Sequence, residues 1–189
     1  MKAKRNIIWV TITLLVIAAI GGYKSQGTID DLKSQISNSQ GDTHNQSLIV
    51  HSSVGVQMLE TLNKQGLSLL VYQDTTLTAY NHRGVRDLLT LVATQPERLQ
   101  GAIVADKIIG KAAAALMATG GVVEVHTNII CTPARELLER EGIRVYATQE
   151  VPQILNRDKS HMCPIDSQLE GIESIEECVQ ILQNIPPVI

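Results

Sequence analysis

Apolar residues recur along this chain in two rhythms, and their alternation sketches the fold. Over residues 48–64, Val54, Met58, Leu59 and Leu62 fall on one helical face and the pattern stops at Gln65-Gly66, so the spacing predicts an amphipathic helix closed by glycine. Residues 67–72 and 77–80 read as two strands around the polar connector Gln73-Asp74-Thr75-Thr76, a hairpin. Val85, Leu88, Leu89 and Val92 return to helical spacing until Pro96. Residues 101–104 make a short strand. The Ala-rich stretch 106–119, with Gly110 in its interior, reads as a buried helix ended by Gly120-Gly121. The β-branched run 122–130 predicts a strand, Thr132-Pro133 opens a helix to Glu141, and 143–146 is a further strand. A helical turn over 151–156, a loop at His161-Met162-Cys163-Pro164 and a helix over 175–185 complete the pattern. Strand, helix and strand in succession imply right-handed parallel crossovers. The expected architecture is therefore α/β: a three-layer α/β/α mixed sheet with an antiparallel hairpin at one side.

The first 47 residues follow neither rhythm. Lys2, Lys4 and Arg5 precede an uncharged apolar run over 6–23, whose helical length of roughly 27 Å just matches a bilayer core. Residues 1–23 are accordingly expected to be a membrane anchor that leaves the domain on the outer side, with a signal peptide cleaved near Ala19-Ile20-Gly21 as the alternative and secretion as its consequence. Residues 24–47, rich in Ser, Gln, Asn and Asp, have the composition of a polar linker, although Ile29, Leu32 and Ile36 keep helical spacing. The folded domain is expected over 48–189.

Composition narrows the chemistry. Aromatics are 3% and Phe is absent, so the core must be packed from Ile, Leu, Val and Ala. A net charge of −3 with dispersed cations offers no field for a phosphate backbone, which argues against a nucleic-acid partner. Three cysteines, Cys131, Cys163 and Cys178, give neither a disulfide framework nor a C-x-x-C pair. Cys178 shares a helical stripe with Ile175, Val179 and Leu182 and reads as a core residue, while the role of Cys163 stays open.

The strings Arg83-Gly84-Val85-Arg86-Asp87-Leu88-Leu89, Ala105-Asp106-Lys107-x-x-Gly110-Lys111-Ala112-Ala113 and Met162-Cys163-Pro164, in this order of elements, resemble the bacterial family called domain of unknown function 1893 over about residues 58–182. The resemblance implies a cytidine deaminase-like fold in a branch without zinc, and little about chemistry. The chain departs from the family at Lys159-Ser160-His161, where small residues or glycine are favoured, at Asp166, where Glu is usual, and in its N-terminal apolar segment.

A zinc deaminase presents H-x-E at one helix start and P-C-x-x-C at the next, which supplies three ligands and a proton carrier. Here Ala105-Asp106-Lys107 and Ile130-Cys131-Thr132-Pro133 stand in those places, and a single thiol does not make a catalytic zinc site. No metal and no cofactor is expected. Asp106, Lys107, Lys111, Cys131 and Thr132 would gather at the strand ends, with Lys107 and Lys111 on one helix face, to hold a small anionic or nucleotide-like molecule; Arg83 beside Gly84 is a further candidate for the anion. The alternatives are a cysteine-dependent enzyme that uses Cys131 with Asp106 or Lys107 in proton transfer, and a scaffold that self-associates as a homo-oligomer. For each polar residue the bland reading is structural pairing: Asp106 with a lysine, Arg83 with Asp87.

Overall fold

The computed structural model describes residues 30–34, 44–82 and 85–185, and for 44–52 the backbone alone. The anchor, the signal peptide and Arg83 lie outside the described residues. Among the described helices none is long and apolar enough to cross a membrane.

Five strands form one mixed sheet. They are β1 (Leu69–Gln73), β2 (Thr76–Tyr80), β3 (Ile103–Ile109), β4 (Glu124–Cys131) and β5 (Arg144–Val151), in the spatial order β2-β1-β3-β4-β5. β1 runs antiparallel to both β2 and β3, whereas β3, β4 and β5 are parallel. The hairpin is tighter than the sequence predicts. Register runs through Gln73 and Thr76, leaving Asp74 and Thr75 as the loop, and Asp74 takes the left-handed conformation that such turns require.

Alternation along β1 assigns the two faces. Leu70 and Tyr72 join a core with Val54, Met58 and Leu62 of α1 (His44–Gln65), while Leu69 and Val71 face the larger core on the other side. That larger core takes its side chains from α2 (Arg86–Thr94), α3 (Lys111–Gly120), α4 (Thr132–Arg140) and α6 (Ile175–Gln183). Among the described residues, helices therefore cover both faces, α1 and the stretch 30–34 on the first and α2, α3, α4 and α6 on the second. The short α5 (Pro164–Ser167) precedes α6, which is capped by Ser174 accepting from the Glu177 amide at 3.2 Å. Cys178 is buried in α6, on the stripe the sequence places it in. Leu32, in the short helical stretch 30–34, is buried in the α1-side core, a contribution that the polar composition around it conceals.

Two segments differ from expectation. Residues 106–109 continue β3 instead of opening a helix, and Gly110, in extended backbone, is the N-cap of α3 and not an interior residue. β-Branched Ile108 and Ile109 favour the strand, and a glycine is costly inside a helix but not at its start. β5 extends to Val151, so the expected helical turn over 151–156 is strand followed by an isolated bridge between Leu155 and Met162.

Candidate functional site

The parallel strands β3 and β4 change phase before they end. Val104 and Ile109 belong to the same core although they stand five residues apart, an odd spacing that strict alternation would send to opposite faces; Val125 and Ile130 do the same in β4. Register passes from Asp106–Thr127 to Ile108–Ile129 without pairing Lys107 to Asn128. At this break the Asp106 carboxylate accepts from the Ile108 amide at 3.1 Å, and the Thr127 hydroxyl donates to the Ile129 carbonyl at 3.0 Å. The last residues of both strands then turn inward, and the chain enters α3 at Gly110 and α4 at Cys131.

At the start of α3 the anion position is filled by the chain itself. Asp166 Oδ1 accepts from the Ala112 amide at 3.0 Å, a cap delivered from 54 residues away. A side-chain carbon on Gly110 would overlap this carboxylate, so glycine is required for the approach. The Lys111 ammonium donates to the carbonyls of Leu169 at 2.9 Å and Ile172 at 2.6 Å, binding the turn after α5 to the same helix start. Burial pushes the Asp166 carboxyl up, opposed by the Ala112 and Lys111 amides and the Lys111 charge. The Cys131 thiol, buried at the N-cap of α4, meets the Ala134 and Lys111 amides; burial first, and then the Asp166 charge, push it up. Thr132 Oγ1 donates to Glu150 Oε1 at 2.8 Å.

A second polar group lies toward β1. Asp87, buried at the start of α2, accepts from the His82 amide at 2.9 Å and pairs with His82 Nδ1 at 2.6 Å. The Asp106 carboxyl is pushed up to about 7, chiefly by burial, with the charge of Asp87 adding to it and the Ile108 and Lys107 amides opposing.

The sequence candidates are thus divided. Lys111, Cys131 and Thr132 do stand at the two helix starts. Asp106 and Lys107 do not: both belong to β3, so Lys107 cannot share a helix face with Lys111, and the first helix start is Gly110-Lys111 in place of Ala105-Asp106-Lys107. Asp87 binds His82, and its expected pairing with Arg83 involves a residue outside the described ones. Sequence reasoning misses Asp166 as a cap, because a contact across 54 residues has no local pattern, and it misses the His82–Asp87 pair although the two stand only five residues apart. Among the described residues no group of three or more His, Cys, Asp and Glu side chains is placed to hold a metal ion.

An α/β domain whose mixed sheet presents two helix starts at the ends of adjacent parallel strands is the class this geometry defines. The model of the family described as "Domain of unknown function (DUF1893)" matches residues 57–185, and the chain belongs to that family. Among solved structures it is similar to the DUF1893 family protein TM1506 from Thermotoga maritima. The two are 26% identical over 68% of this chain and 86% of that one, with a TM-score of 0.62. No curated protein matches the chain.

Proposed function

We propose that this is a metal-independent binding domain of the cytidine deaminase-like kind, which takes a small anionic, nucleotide-like group at the starts of α3 and α4. The observation that supports this reading is the Asp166 carboxylate on the first turn of α3. Free amides at a helix start and the positive end of the helix dipole favour an anion. The Lys111 charge, held by neutral carbonyls, remains uncancelled except by Asp166. Because burial raises the Asp166 carboxyl, this internal anion is seated against a desolvation cost, and an external phosphate has reason to exchange with it. A thiol pushed up by burial is the opposite of an activated nucleophile, so the geometry favours binding over Cys131 catalysis.

Asp166→Ala is expected to lose about 1–3 kcal/mol, the cost of leaving buried amides unsatisfied, and to recover it as inorganic phosphate is added. The parent should respond far less. Thermal denaturation against phosphate concentration checks this; equal shifts in both proteins would count against the reading.

We also propose, from the charge and apolar pattern of residues 1–23, that the chain is held at a membrane with the domain outside, or is secreted after cleavage. Fractionation of cells that express the full chain should place it in the membrane fraction or, shortened, in the medium. Uncleaved chain in the soluble fraction would contradict both.

A further inference from the structure

On the α1 side of the sheet, four side chains of β4 and β5 form a square. Register pairs Glu124 with Arg144 and His126 with Tyr146. Glu124 Oε1 meets His126 Nε2 at 2.7 Å, Glu124 Oε2 accepts from Arg144 Nε at 3.0 Å, and the His126 ring stacks on Tyr146 with centroids 4.7 Å apart and planes at 19°. The inner half is enclosed and the outer half open: the side chains of Glu124 and His126 are 1% and 2% exposed, against 39% for that of Arg144, and Tyr146 as a whole residue is 42% exposed. The difference follows from the topology. β5 is an edge strand, while α1 packs over β3 and β4 with Gly55 seated so closely on the His126 ring that a side-chain carbon there would overlap it.

Enclosing a carboxylate with an imidazole and a guanidinium is a poor way to gain stability, since desolvation offsets much of the attraction. What the arrangement does achieve is orientation. Arg144 is held through Nε, and its two terminal nitrogens have no partner among the described residues. Tyr146 is backed on one ring face by His126, while the residue as a whole stays exposed. Residues two apart on a strand point the same way about 7 Å apart, close to the span between a nucleotide's base and its phosphate.

We propose that Arg144 and Tyr146 form a binding site for a planar aromatic group that carries an anion, the ring stacking on Tyr146 and the anion taking paired hydrogen bonds from Arg144. This site is separate from the one at Asp166 and does not rest on it. The test is a titration of the full chain with adenosine 5′-monophosphate, followed by amide resonances, with adenosine and inorganic phosphate as half-ligands. The expected result is that the Arg144 and Tyr146 resonances move with the monophosphate and that each half-ligand binds at least about tenfold more weakly. Tyr146→Ala should stay folded and weaken the monophosphate at least about tenfold, while Tyr146→Phe, which keeps the ring stacked on His126, retains it. Arg144→Lys, which keeps a charge beside Glu124 but loses the planar fork, should also weaken it. Resonances that stay still, or Tyr146→Ala binding as the parent does, would overturn the proposal. So would shifts of the same resonances with protein concentration alone, which would assign this face to a second copy of the chain. Shifts confined to Lys111 and Ala112 would overturn it while leaving the Asp166 reading intact.

Discussion

Gly55→Ala is expected to destabilise the domain by about 3 kcal/mol, although alanine in place of glycine within a helix ordinarily adds up to about 1 kcal/mol of stability. The new carbon would overlap the His126 ring, and the ring has nowhere to go, pinned by Glu124 at 2.7 Å and stacked on Tyr146. Either α1 lifts from the sheet or the ring leaves Glu124 without one of its two partners inside the protein. Overpacking costs roughly 1–3 kcal/mol, and leaving a buried carboxylate short of a hydrogen-bond partner roughly 1–3 kcal/mol. A double-mutant cycle isolates the cause. His126→Ala is destabilising in itself, but adding Gly55→Ala to it should cost nothing, or restore about 1 kcal/mol. Denaturant melts of the four proteins measure the coupling. If the two costs simply add, the close seating of α1 on His126 is not what glycine serves at position 55.

Asp106→Asn is expected to stabilise the domain at pH 8 and to do nothing comparable at pH 3.5. The folded carboxyl is pushed up to about 7 from its ordinary value of 3.8, chiefly by burial. Between those values the folded chain keeps a proton that the unfolded chain has released, so stability falls as pH rises from about 4 to about 7, and the whole loss persists above 7. Below 3.8 both states are protonated and the group contributes no difference. About three units at 1.36 kcal/mol each sets an upper figure of roughly 4 kcal/mol, which the partial exposure of Asp106 reduces. Asparagine cannot ionise, yet it retains an oxygen to accept from the Ile108 amide. Asp166, which burial also pushes up, tilts the parent's profile in the same direction, so the informative quantity is the difference between parent and variant at each pH. Equal differences in stability at pH 4 and pH 8 would show that Asp106 ionises normally.

The elements that were legible in the sequence are those whose partners are repeated locally. The helical stripe of Val54, Met58 and Leu62, the hairpin around Asp74, and the Cys178 face of α6 are each fixed by residues two to four positions apart, and the structure agrees with them. Reading fails where the decisive partner is distant. Residues 106–109 look like the beginning of an Ala-rich helix, but the register with β4 draws Ile108 and Ile109 into the sheet and moves the helix start to Gly110. Lys107 leaves the candidate site by that shift alone. Asp166 appears in the sequence only as a departure from the family's usual Glu, and nothing near it announces a cap on a helix that begins more than fifty residues earlier. His126 lies in β4, and its link through Glu124 to Arg144 becomes visible only once β4 and β5 are in register.

If the first turn of α3 is, as proposed, an anion site that Asp166 occupies, inorganic phosphate should compete for it. The most direct measurement follows the Lys111 and Ala112 amide resonances of the full chain and of Asp166→Ala while inorganic phosphate is added. Both resonances should shift with saturation in Asp166→Ala, and in the parent only at much higher concentration, since the carboxylate must first give way. If the two resonances in Asp166→Ala ignore phosphate while the variant stays folded, Asp166 is a structural cap and the start of α3 is not a binding site.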